Sequence, residues 1–140
     1  MSTFISGLFS LLLLMAPPDK QLLNRFTEQA SKEHKYIAVY FSGSDWCSHC
    51  HYFNNHVLQK DSIQQLINNY YVYYNADFPQ RKKLPLEDKQ LNDAWAEVLN
   101  PEGVFPMLII CDEQLQVMSC ITRAHVIEAV TDTLKKYSNR

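Results

Sequence analysis

Two of the four cysteines, Cys47 and Cys50, stand in the segment Trp46-Cys47-Ser48-His49-Cys50. Thiols at this spacing can exchange with a substrate disulfide and need no cofactor, provided that one is an accessible thiolate. His49 lies between them, where its cation would favour the Cys47 thiolate. A second signal is Val104-Phe105-Pro106, directly ahead of the apolar run Met107 to Ile110. An X-Pro before a strand, together with a Cys pair between a strand and a helix, is far less common than C-x-x-C alone.

Other chemistry fits parts of the same motif. Cys47-Ser48-His49-Cys50-His51 matches C-x-x-C-H, the covalent haem signature, with His51 as iron ligand. An apolar strand running straight into the motif does not suit a small haem protein. Zinc could take Cys47, Cys50 and His51 or His56, but a closed structural site needs four ligands. No second C-x-x-C occurs. The pair is read as redox-active, with no metal and no cofactor.

The elements that must position these residues follow from periodicity. Asp19 can cap a helix from Lys20 to about Lys32, with Leu22, Leu23, Phe26 and Ala30 at helical spacing. Tyr36–Phe41 is apolar throughout, as a central strand is. Ser42 to Asp45 is the turn into the Cys pair, and Asp45 is read as holding that turn. A helix is predicted from Ser48 to Leu58, with Cys50, Phe53, Val57 and Leu58 inward. This places Cys47 at a helix start, where unpaired N–H groups and the dipole favour an anion. Comparable sites lower a cysteine pKa from about 8.5 to roughly 3.5–7.5. Cys47 is therefore the attacking thiolate and Cys50 the resolving thiol.

Further along, a short helix covers Ser62 to Asn69, and Tyr70–Ala76 is a second strand. Residues Asp77 to Lys89 form a loop with two X-Pro steps. A helix runs from Asp88 to Leu99, with Leu91, Trp95, Val98 and Leu99 inward, and Asn100-Pro101-Glu102-Gly103 stops it. Met107–Cys111 and Leu115–Ile121 make a hairpin about Glu113-Gln114. Thr122 can cap a last helix, Ala124 to about Tyr137, with Val126, Ile127, Val130, Leu134 and Tyr137 inward. In that hairpin Cys111 faces Gln116 and Cys120 lies opposite Met107. The sulfurs would be over about 10 Å apart at about 3.3 Å per residue. A disulfide needs Cα atoms within roughly 7 Å, so the two should stay unpaired. His34, His56 and His125 read as surface or capping residues.

The remaining composition sets limits. The 140 residues suffice for one domain and one core. Hydrophobic residues make up 46% and charged residues 20%, a globular balance. Net charge is −2, and Arg81-Lys82-Lys83 is only a short basic loop, so nucleic acid is not expected. Phe4 to Ala16 is apolar and ends at Pro17-Pro18. It is short for a membrane span of about 20 residues but suits a signal-peptide apolar region. Residues 1–18 are thus read as a signal or anchor and 19–140 as the domain. The expected location is the periplasm or cell envelope; the alternative is cytoplasmic, with the segment packed on the core.

The order helix, strand, helix, strand, helix, hairpin, helix gives an α/β fold with a mixed four-stranded sheet flanked by helices. With Trp46-Cys47-Ser48-His49-Cys50 after a strand, and Phe105-Pro106 before a hairpin, the chain resembles the thioredoxin fold from roughly Asp19 to Tyr137. Phe41 to Cys47, with Asp77-Phe78-Pro79-Gln80, is similar to a narrower group, the small exported bacterial DsbH-like disulfide oxidoreductases. The resemblance implies a cis Phe105-Pro106 bond facing the Cys pair, a redox-active Cys47–Cys50 disulfide, and backbone contacts to an extended substrate at Phe105-Pro106. Trp46, beside the pair, is read either as shaping the substrate surface or as a packing residue at the strand end. It implies cysteine-containing protein substrates and a redox partner protein, with the chain acting as a monomer. One position departs. Many thioredoxins carry a buried acid where this chain has Tyr40, so a carboxylate to take the second thiol's proton is missing there. The expected function is thiol–disulfide oxidoreductase. The alternative is a non-catalytic peptide-binding module whose Cys pair is structural or metal-binding.

Overall fold

The computed structural model describes residues 18–122 and 126–139. The apolar segment Phe4–Ala16, Pro17, the expected helix start at Ala124, and His125 lie outside the described residues.

The chain opens with helix α1, Pro18–Glu33, and strand β1, Tyr36–Ser42. The described part of α1 reaches back to Pro18, ahead of the expected start at Lys20. The side chain of Asp19, the expected cap, is outside the described set. His34 ends α1 at φ 53°, in the left-handed region that closes many helices. Leu23, Phe26 and Ala30 face the core, whereas Leu22 is exposed on the neighbouring face.

Helix α2, Ser48–Phe53, continues into a π-helical turn, Asn54–Leu58. Helix α3 spans Asp61–Tyr70, β2 Tyr71–Asp77, and α4 Leu86–Leu99. Glu87 and Asp88 fill the first turn of α4, where acidic groups complement the helix dipole. The chain closes with β3 (Met107–Cys111), β4 (Val117–Thr122) and α5 (Ile127–Lys136). Thr122 belongs to β4 and does not cap α5; the N-cap position is Val126, which is exposed rather than inward.

The sheet order is β2-β1-β3-β4. β1 runs parallel to β2, antiparallel to β3, and β3 is antiparallel to β4. β1 is central, and Ile37 to Phe41 are buried on both faces. Odd-numbered residues Ile37, Val39 and Phe41 meet α1 and α4 around the fully buried Trp95. Its ring meets Phe26 edge-on with centroids 5.3 Å apart. Even-numbered Ala38 and Tyr40 meet α2, the π turn, α3 and α5. On that face the Tyr71 hydroxyl donates to the Leu134 carbonyl at 2.6 Å, tying β2 to α5.

The hairpin differs from its expected register. Asp112 Oδ1 accepts the N–H groups of Gln114 and Gln116, and Leu115 takes φ 63°. The turn is therefore longer, Leu115 leaves the strand, and the register shifts between Ile110 and Cys111. Cys111 pairs with Val117, not Gln116, and Cys120 with Ile109, not Met107. A diagonal of this kind puts Cα atoms about 7–8 Å apart, closer than expected but still past disulfide reach. Both cysteines are free.

Candidate active site

β1 delivers the chain to a tight turn. The Gly43 carbonyl accepts the N–H groups of Trp46 at 3.3 Å and Cys47 at 2.9 Å. The Trp46 indole lies against Gly43, and a Cβ built there would run into the ring. Glycine at this position therefore lets the tryptophan fold back over its own turn. Trp46 Nε1–H donates to the Phe78 carbonyl at 2.7 Å.

The loop after β2 is clamped to this turn from two sides. The Asp77 carboxylate accepts the Ser44 N–H at 2.8 Å and the Ser44 hydroxyl at 2.6 Å, and pairs with Lys82 Nζ at 3.2 Å. The Asp45 carboxylate accepts backbone N–H groups of Gln80, Arg81 and Lys82 at 2.8, 2.8 and 3.0 Å. The Gln80 bond and its two neighbours hold the Asp45 carboxyl below the usual range. Asp45 thus fastens residues 80–82 rather than its own turn. Sequence reasoning missed Asp77 and Phe78 as organisers of the site. Their only signal was the Asp77-Phe78-Pro79 string at the end of a strand.

Cys47 is the N-cap of α2, at φ −95° and ψ 97°, and its Sγ accepts the Cys50 N–H at 3.1 Å. That bond comes from the backbone; His49 stands exposed on the first turn. Cys47 and Cys50 are joined, with S–S 2.10 Å and Cα atoms 5.2 Å apart. Cys50 is nearly buried, at 3% exposure, and Cys47 shows 6%. The His56 ring stacks on Tyr52, with Nδ1 3.0 Å from that residue's carbonyl. Among the described residues no three His, Cys, Asp or Glu side chains converge as a metal site.

The second signal arrives from the end of α4. Asn100, 3% exposed, accepts from the Val104 N–H at 2.9 Å and donates to its carbonyl at 3.0 Å. Gly103 takes φ 67° inside this loop. Phe105-Pro106 is cis, and Phe105 meets Trp46 and Phe78 edge-on at 5.5 and 5.6 Å. Trp46, Phe78 and Phe105 form one aromatic shelf beside the turn that carries Cys47.

A family model described as a thioredoxin-like domain matches residues 23–133. The chain belongs to the thioredoxin-like domain family. It is 30% identical over 87 residues to the disulfide bond reductase DsbH of Chlamydia pneumoniae, covering 62% of this chain and 52% of that protein. The alignment thus spans about half of that relative's length. A solved DsbH oxidoreductase superposes with TM-score 0.68 at 25% identity, covering 79% of each chain. A disulphide isomerase from Xylella fastidiosa Temecula1 shares the fold, with TM-score 0.55 at 15% identity over 91% of this chain and 98% of that one.

On β1, Tyr40 stands at the position where the sequence resemblance leads one to expect a buried acid. It is 2% exposed, and its hydroxyl donates to the Cys50 carbonyl at 3.3 Å. Burial pushes the phenol's pKa up, so it stays protonated. Beside it lies a pocket of about 190 Å³ lined by Tyr40, Ser42, Ser44, Cys50, His51, Asn54 and Asn75. The Ser42 hydroxyl is 3.2 Å from Asn75 Oδ1 across its floor. The disulfide therefore has an aromatic side, at Trp46 and Phe105, and a polar side, at Cys50. Among the described residues no helix is long and apolar enough to cross a membrane.

Proposed function

We propose that the protein is a thiol–disulfide oxidoreductase that acts on cysteine-containing protein substrates. The observation that carries this is the Cys47–Cys50 disulfide at the start of α2, with the Cys50 N–H on Cys47 Sγ. The same N–H donates to a thiolate once the pair is reduced, and a charge-assisted bond of this kind is stronger than a neutral one. Reduced Cys47 attacks a substrate sulfur. The substrate disulfide breaks, one half leaves as a thiolate, and a Cys47–substrate disulfide remains. Cys50 then attacks Cys47 Sγ, releases the second half and closes the internal disulfide, so the enzyme loses two electrons and the substrate gains two.

In this reading His49 adds positive charge near Cys47, and the substrate chain lies on the shelf of Trp46 and Phe105, with backbone contacts at Phe105-Pro106. The name of the Chlamydia relative, a disulfide bond reductase, supports reduction as the direction. A second protein must then return electrons to the pair. The apolar segment Phe4–Ala16 supports work outside the cytoplasm, in the periplasm or cell envelope.

The test is substrate turnover in cysteine variants. Cys47→Ser should abolish it, and Cys50→Ser should accumulate Cys47–substrate disulfides. A Cys47→Ser protein that exchanges disulfides at the normal rate overturns the assignment. The reduction potential then sets direction: about −270 mV fits a reductase, and about −180 to −120 mV an isomerase or oxidase.

A further inference from the structure

Resolution by Cys50 requires its thiol to lose a proton in a nearly buried place. The frame offers no carboxylate on β1 for this: Tyr40 occupies the position, stays protonated and spends its hydroxyl on the Cys50 carbonyl. Asp77, the nearest acid on β2, already accepts two bonds from Ser44 and pairs with Lys82.

The pocket against Cys50 offers another route. It is lined by two hydroxyls, Ser42 and Ser44, and two amides, Asn54 and Asn75, besides Tyr40, Cys50 and His51. At about 190 Å³ it has room for water, and its lining supplies the several polar partners that ordered water needs. The titratable groups around it are Tyr40 on β1, Tyr73 and Asp77 on β2, and Cys47, Cys50 and His51 on or at α2; Tyr73 and Asp77 are close enough to act on Tyr40. Besides the Cys50 thiol itself, the one side chain lining the pocket of a type that exchanges protons near neutral pH is the imidazole of His51. His51 follows Cys50 directly, and its N–H on the Cys47 carbonyl at 3.2 Å fixes its backbone in the first turn.

We propose that His51, acting through water in this pocket, accepts the proton of the Cys50 thiol as Cys50 resolves the mixed disulfide. The Cys50 thiolate attacks Cys47 Sγ, the Cys47–substrate bond breaks, and the leaving substrate thiolate recovers a proton from the imidazolium or from water. Charge and electrons balance, and the reverse reaction uses the same proton. His51 would thus be a positioning and proton-relay residue, distinct from His49. This inference rests on the exchange reading above.

Rapid-quench kinetics of the full chain with oxidised glutathione test it. Mass spectrometry separates the glutathione adduct on Cys47 from the closed Cys47–Cys50 disulfide, so attack and resolution are timed separately. His51→Ala and His51→Gln should both slow resolution about 100-fold below about pH 7, and leave attack within about twofold. Their resolution should rise with pH as the unassisted, nearly buried thiol ionises, above the range of a free cysteine, and added imidazole should restore part of the rate. Resolution at the wild-type rate with the wild-type pH profile, in either variant, overturns the inference. So does a slow variant whose pH profile is unchanged and which imidazole does not rescue. A wild-type protein that exchanges no disulfide at any pH overturns this inference and the exchange reading together.

Discussion

Cys47 and Cys50 are bonded at a helix start, while Cys111 and Cys120 lie free in adjacent strands of one hairpin. Nearness in the fold does not distinguish the pairs, since both sit within one supersecondary unit. Backbone does. The helix start turns both sulfurs to one side and aims an N–H at Cys47. The strands send Cys111 into the core, where burial, aided by the Asp112 charge, pushes its thiol up to about 12. Cys120 stands opposite Ile109 on an edge strand, and partial burial raises its thiol as well. On the proposed reading, one pair is arranged to form and stabilise a thiolate and the other to remain two thiols.

The strongest way to break this contrast is to exchange the roles. Cys47→Ser should remove turnover, whereas Cys120→Ser should keep it within about twofold and change stability by less than about 0.5 kcal/mol. Loss of activity in the Cys120 variant would make it a third working thiol.

A smaller effect is expected where the turn is packed. Gly43→Ala forces the Trp46 ring off its seat, at a cost of about 1–3 kcal/mol for a close-packed clash. Denaturant unfolding measures the loss, and Trp46 fluorescence should shift as its bond to Phe78 breaks. Unchanged stability would mean that the ring has room to move. Cys111→Ser should cost about 1–3 kcal/mol, because a buried hydroxyl needs a partner that a thiol does not.

The smallest effect concerns the clamp. Asp45 titrates below its unfolded value of about 3.9, so its contribution is present above that pH and fades as pH falls through the lower folded value. Asp45→Asn should speed hydrogen exchange at the Gln80, Arg81 and Lys82 amides at neutral pH, with little change in global unfolding. In the wild type the same amides should lose protection only in acid.

Much of this was legible in the sequence. β1 was plain because Ile37 to Phe41 are apolar on both faces, and the Cys pair because its spacing fits one helical turn. The cis Phe105-Pro106 bond followed from resemblance, not from any local preference. What escaped depends on side chains that bond far along the chain or redirect it locally. Asp112 capturing two N–H groups lengthened the hairpin turn and moved both cysteines in register. Asp45 reaching residues 80–82, and Asp77 reaching Ser44, are non-local bonds that periodicity does not encode. Leu22 looked like core because a helix predicts a stripe, and its neighbour Leu23 holds the inward position.

The most direct measurement is site-resolved alkylation of the reduced protein across pH, with each cysteine followed by mass spectrometry. The account predicts that Cys47 reacts first, with an apparent pKa in the range of about 3.5–7.5, while Cys111 stays unmodified in the folded chain. If Cys47 instead titrates near about 8.5, no faster than Cys120, the helix start does not activate it and the exchange mechanism is contradicted.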